Sequence, residues 1–126
     1  MKIINSDRAP KAVGPYSHAT IINNTLYVSG QLPLDPETMK FVSEDVAEQA
    51  KQSIENAKAI IEEAGATLEQ VARVGIFITN MADFAKINEV YASYFSDHKP
   101  ARACVEVSKL PLGAQVEMEF TVDVSK

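Results

Sequence analysis

Val116-Glu117-Met118-Glu119-Phe120-Thr121-Val122-Asp123-Val124 alternates apolar and polar residues without a break. A period of two puts Val116, Met118, Phe120, Val122 and Val124 on one face of a strand, and Glu117, Glu119, Thr121 and Asp123 on the other. The chain therefore builds a sheet with one face on a core and one face solvated or covered by a partner. Upstream, Val46, Ala50, Ile54, Ala57, Ile61 and Ala64 keep helical spacing instead, with Ser43 as the expected cap and Gly65 as the stop. Phe84, Ile87, Tyr91, Tyr94 and Phe95 mark the face of a second helix over 82–96. Further strands are expected at Ile3-Ile4 and over 19–22, 26–30, 71–79 and 102–108. Asn23-Asn24 suits a tight hairpin turn, and 32–41 reads as a loop. The order is three strands, helix, strand, helix, two strands. That predicts one α+β domain over 1–126 with both helices on one face of the sheet.

The bulk numbers bound the function. A chain of 126 residues supports one core. A net charge of −5 argues against a protein that grips nucleic-acid phosphates. One cysteine excludes an internal disulfide. His18 and His98 have no metal-ligand spacing. No signal segment or membrane-length apolar run is present, so the expected location is the cytoplasm.

One charge stands out. Arg102 lies in Pro100-Ala101-Arg102-Ala103-Cys104-Val105-Glu106-Val107, beside small and apolar residues. A guanidinium there is costly unless paired, either with a carboxylate of the protein or with one carried by a ligand. Arg102, Cys104, Glu106 and Ser108 share one strand face. Together with Glu117, Glu119, Thr121 and Asp123 they suggest one polar sheet face, which also reads as an ordinary solvated surface. A simple hairpin of the last two strands would set Glu106 against Glu117, an unfavourable pairing, so these strands are expected to lie apart. Tyr16 reads as a half-buried ring, Ser29 and Gly30 as the end of a strand, and His18 as a surface or strand-edge residue. Asn88 should bond to backbone. Cys104 reads as a small buried hydrophobe rather than a nucleophile. No serine triad, phosphate loop or H-E-x-x-H motif is present.

Gly14-Pro15-Tyr16-Ser17, Ser29-Gly30-Gln31, Phe84-Ala85-Lys86-Ile87-Asn88, the Arg102 segment, Leu110-Pro111 and Val116-Glu117-Met118-Glu119 together resemble the RidA (YjgF) reactive-intermediate deaminase family. The resemblance spans essentially the whole chain. It implies a chorismate-mutase-like fold with a mixed sheet, its last strand inserted between earlier ones. It also implies a homotrimer with a central barrel and ligand clefts between subunits. The implied substrates are short 2-imino acids (2-iminobutanoate, 2-iminopropanoate) and their enamine tautomers, released by pyridoxal-phosphate dehydratases and hydrolysed to a 2-keto acid and ammonia without a cofactor. Carried over, Arg102 clamps the substrate carboxylate and Glu117 positions and activates water. Gly30 and Cys104 offer backbone donors, Tyr16 and Ser29 line the cleft, and Asn88 and His18 are secondary members. The family commonly has Gln where this chain has His18, and the stretch before Arg102 is shorter than in some relatives. Two other readings stay open: a non-catalytic sensor of small keto or amino acids, and an RNA-acting translation inhibitor.

Overall fold

The computed structural model describes residues 1–125. Six strands form one sheet: β1 (Lys2–Ile4), β2 (Ala19–Ile22), β3 (Thr25–Gln31), β4 (Val71–Ile78), β5 (Ala101–Glu106) and β6 (Val116–Asp123). Two helices, α1 (Val46–Glu63) and α2 (Phe84–Tyr94), pack on it. The spatial order is β1-β2-β3-β6-β4-β5. Only β4 and β5 run parallel, so the sheet is mixed. Asn23 takes φ 54° in the β2–β3 hairpin, a conformation asparagine tolerates.

The chain crosses from β3 over α1 to β4 and leaves a one-strand gap, which β6 later fills. Both neighbours of β6 are antiparallel to it. β6 is thus the central girder, and its strict alternation is what a strand needs when one face lies under helices. Val116, Met118, Phe120 and Val122 are buried with Val74, Ile76 and Ile78 of β4, Ile54, Ile60 and Ile61 of α1, and Ile87 of α2. β4 separates β5 from β6, so Glu106 and Glu117 never face each other.

The helix boundaries differ from the sequence reading. Asp45, not Ser43, caps α1 by accepting the Glu48 N–H; the Ser43 hydroxyl accepts the Asp45 N–H instead. Gly65 turns the chain away at φ +84°. The 82–96 helix is shorter than expected. A 3₁₀ turn, Met81–Asp83, leads into α2, whose helical backbone stops at Tyr94.

The expected single polar face does not form. Arg102 pairs with Val74 across β4/β5, and Cys104 with Ile76, so both point to the helix side. Glu117 pairs with Phe77, on the other side. The reason is position. β5 is the sheet's last strand, and at that edge a long arginine covered by α2 still reaches water. No helix among the described residues is long and apolar enough to cross a membrane.

Candidate functional site

The expected site residues fall into two groups on opposite faces of the sheet. The first is built on α2 and β5. Phe84, Asn88 and Tyr91 are spaced four and three apart, so α2 presents them as neighbours on one stripe. The Arg102 guanidinium carbon lies 5.5 Å from the Phe84 ring centroid and 4.8 Å from that of Tyr91. Both are cation–π distances. Asn88 Oδ1 accepts a hydrogen bond from Arg102 Nη1 at 2.6 Å. Asn88 was expected to bond to backbone; it braces the arginine because α2 lays it over the edge strand. Among the described residues Arg102 makes no ion pair. Cys104 is half-buried beside it, and burial raises its thiol pKa more than the Arg102 charge lowers it. The thiol therefore stays protonated, in line with a packing role. Glu106, also on this side, accepts the Met81 N–H at 2.7 Å and anchors the entry to α2.

The second group surrounds a cleft of about 370 Å³. Tyr16, Ser29, Gly30 and Glu117 meet there. The β3/β6 register breaks between Val28 and Gln31, which opens the ladder at Ser29 and Gly30. Into that break the Glu117 side chain folds down on the backbone. A Cβ on Gly30 would sit 2.7 Å from Glu117 Oε2, so only glycine admits the carboxylate in this pose. Burial, and secondly the Glu119 charge, push the Glu117 carboxyl above its ordinary pKa. Ser29 Oγ donates to the Ser17 carbonyl at 2.7 Å and ties down the irregular segment that carries Tyr16. The Tyr16 ring is 47% exposed at the rim.

His18 is not the surface residue expected. It is 4% exposed, with Nδ1 accepting the Ser6 N–H and Nε2 donating to the Pro10 carbonyl.

Sequence reading missed the cleft's outer wall (Pro10, Lys11 and Val13) and Pro111 as lining. Pro10, Lys11 and Val13 lie outside the strands and helices, and Pro111 opens a three-residue 3₁₀ turn, so no periodic signal marks them. It also missed the supports beneath. Asn56 Nδ2 donates to the Leu32 and Leu34 carbonyls at 3.1 and 2.9 Å, fixing two lining residues from α1. Gln49 Oε1 accepts the Gln115 N–H at 2.9 Å and so holds the entry to the Glu117 strand. Two amides seven residues apart on a helix, Gln49 and Asn56, were the available clue.

Chemically, one group offers a braced cation without a carboxylate partner from its own chain. The other offers a carboxyl with raised proton affinity in a partly apolar recess. The sheet separates them, so one chain alone does not bring both onto a small ligand.

A protein-family model described as "Endoribonuclease L-PSP" matches residues 6–124. A RutC family protein of Pyrococcus abyssi is 51% identical over 118 residues, covering 94% of this chain and 93% of its own. The human protein named 2-iminobutanoate/2-iminopropanoate deaminase is 39% identical over 118 residues, covering 94% and 86%. Among solved structures, E. coli TdcF with bound serine superposes with a TM-score of 0.94 at 40% identity, covering 99% of this chain and 100% of the other.

Proposed function

This chain belongs to the Endoribonuclease L-PSP family, the YjgF/RidA/RutC proteins, and from that premise we propose that it hydrolyses short 2-imino acids and their enamine tautomers to 2-keto acids and ammonia. The observation that carries the proposal is Arg102, a guanidinium braced by an amide and two rings and left without a carboxylate of its own chain. A 2-imino acid supplies that carboxylate next to an electrophilic C=N carbon. Two parallel charge-assisted bonds from the arginine fork set the plane of the C=N.

Glu117 does the proton work. Water adds its oxygen to the imine carbon and gives a proton to the Glu117 carboxylate. Glu117 passes that proton to nitrogen to give the carbinolamine, then takes the proton of the new hydroxyl and delivers it to the amine, so that the C–N bond breaks with loss of ammonia as the ketone C=O forms. A carboxyl whose pKa is raised by burial suits this exchange, since it holds a proton more readily than an ordinary surface carboxylate. Gly30 and Cys104 are assigned as backbone donors to the substrate, with Tyr16 and Ser29 lining the cleft.

Because Arg102 and Glu117 lie on opposite faces, the active unit is assigned to a homotrimer in which one subunit presents Arg102 to the Glu117 cleft of the next. The open sheet face supports this. Tyr27 and Val105 are exposed there, an apolar surface that a second copy would cover. The substrates are the leaked products of pyridoxal-phosphate dehydratases, and the proposed location is the cytoplasm. The RNA-acting reading suggested by the family description has less support, because the net charge is −5.

The test couples threonine dehydratase to this protein and follows 2-ketobutanoate and ammonia. Faster release than in a protein-free control is expected, and it should vanish with Arg102→Ala. No acceleration by the wild type would remove the enzyme assignment.

A further inference from the structure

His18 is itself one of the residues lining the cleft, yet it is only 4% exposed and takes no part in the chemistry assigned above. Its backbone N–H donates to Asn5 Oδ1 at 3.0 Å, its Nδ1 accepts the Ser6 N–H at 3.0 Å, and its Nε2–H donates to the Pro10 carbonyl at 2.7 Å. Both ring nitrogens are committed to the protein, which leaves neither for a ligand. Acceptance at Nδ1 also fixes the neutral Nε2–H tautomer.

What the ring holds is the upstream end of the cleft's outer wall. Pro10, Lys11, Val13 and Tyr16 line the cleft from a stretch with no helix or strand. Among the described residues, 10–16 makes one backbone hydrogen bond of its own, from the Tyr16 N–H to the Gly14 carbonyl at 2.9 Å. Downstream, the wall is tied by Ser29, whose hydroxyl donates to the Ser17 carbonyl and whose N–H donates to the His18 carbonyl. Upstream, the tie to Pro10 is the His18 ring. A wall pinned at two ends and unsupported between them stands where its pins put it.

We propose that His18 is a positioning residue that sets substrate size: its bond to Pro10 fixes how far Val13 and Tyr16 stand from Glu117, and so how long an apolar side chain the cleft accepts. This rests on the imine-hydrolysis reading. With the carboxylate assigned to Arg102, the segment is assigned to the variable end of a 2-imino acid, so its position should act on KM for long side chains and leave turnover alone.

The two ring bonds separate by substitution. His18→Asn keeps an acceptor near Nδ1 for Ser6 but does not reach Pro10. His18→Gln reaches Pro10 and gives up the Ser6 bond. Imines are generated by an amino-acid oxidase from alanine and from leucine, and kcat and KM are measured for each. The expected result for His18→Asn is KM up about tenfold for the leucine-derived imine, under threefold for the alanine-derived one, and kcat within twofold for both. His18→Gln should raise the leucine-derived KM by less than threefold. Equal KM changes in the two variants, or lower thermal stability with both KM values unmoved, would overturn the proposal.

Calorimetric Kd values for pyruvate and 4-methyl-2-oxopentanoate repeat the comparison without turnover. Selectivity shifted by His18→Asn in a protein that turns over neither imine would sink the enzyme reading and keep the positioning role. Unshifted selectivity would sink the positioning role alone. Should His18→Asn fail to fold, Val13→Ala probes the same wall. It should favour the longer keto acid, and an unchanged Kd ratio counts against the proposal.

Discussion

Arg102 is held by three side chains of α2, whereas Glu117 rests on the bare backbone of Gly30 in a broken ladder. The contrast fits the roles proposed for the two charges. A guanidinium stays ionised in any protein setting, so its surroundings need only aim it. Two rings and one amide do that at the sheet's edge. A carboxyl that must both take and give a proton needs its affinity tuned, and a recess in the sheet does this by partial burial. In the proposed assembly the first region reaches outward and the second receives. Their placement on opposite faces is the strongest argument that the working site is shared between copies.

The widest test of that contrast is Arg102→Ala. Losing two charge-assisted bonds, each worth ~1.5–3 kcal/mol, should cut kcat/KM by about 10²–10⁴. Circular dichroism and oligomer size should stay as in the wild type. Mixing then sharpens the comparison. Arg102→Ala and Glu117→Gln chains, unfolded and refolded together in equal amounts, would place an intact Arg102 against an intact Glu117 in about one interface in four, if each site joins two subunits at random. About a quarter of wild-type activity should return from two inactive parents. A site completed within one chain predicts none.

Glu117→Gln alone should lower kcat by about 10²–10⁴ while the Kd for a 2-keto acid moves little, because the lost group handles protons rather than the carboxylate. Stability carries a second signature. The Glu117 pKa is raised in the folded protein. A carboxyl of that kind binds its proton more tightly when folded. Its contribution is therefore fully present below the unfolded pKa and is lost as pH rises through the raised one. Denaturant midpoints of the wild type should fall relative to Glu117→Gln across that window. A gap that does not change with pH would mean that Glu117 is no more buried than an ordinary surface carboxylate.

Gly30→Ala attacks the same region more gently. The new methyl would come within 2.7 Å of Glu117 Oε2, so the carboxylate must swing off the backbone. A drop of about tenfold in kcat and a loss of ~1 kcal/mol in unfolding free energy are expected. Unchanged kinetics would show that the close approach is incidental.

Much of this was legible in the sequence, though unevenly. The alternation in β6 survives because one face must meet the core all along its length. Its insertion between β3 and β4 was foreshadowed by the repulsion a Glu106–Glu117 pairing would carry. Arg102 announced itself as a charge without a local partner. Alternation, however, assigns each strand two faces without saying which face of one strand continues which face of the next. Ala101 and Ala103 look like the core side of β5, yet they are exposed, and the arginine side is the one under α2. Only the register with β4 resolves this. The burial of His18, named only as a secondary site member and read as a surface or strand-edge residue, and the supporting roles of Gln49 and Asn56 escaped the sequence for a related reason. Each is a polar side chain buried because it satisfies backbone groups of a distant loop, and such long-range partners leave no periodic trace.

The mildest prediction concerns Tyr91. Its ring covers Arg102, but its hydroxyl is buried without a hydrogen-bond partner among the described residues. A buried unpaired donor costs ~1–3 kcal/mol. Tyr91→Phe removes that cost and keeps the ring. Unfolding free energy should hold or rise by about 1 kcal/mol, with KM unchanged. Tyr91→Leu removes the ring as well, and the lost cation–π contact should raise KM about threefold. A clear destabilisation by Tyr91→Phe would mean that the hydroxyl finds its partner on a second copy. The Arg102 region would then not be the self-sufficient half described above, and both halves would depend on assembly for their shape.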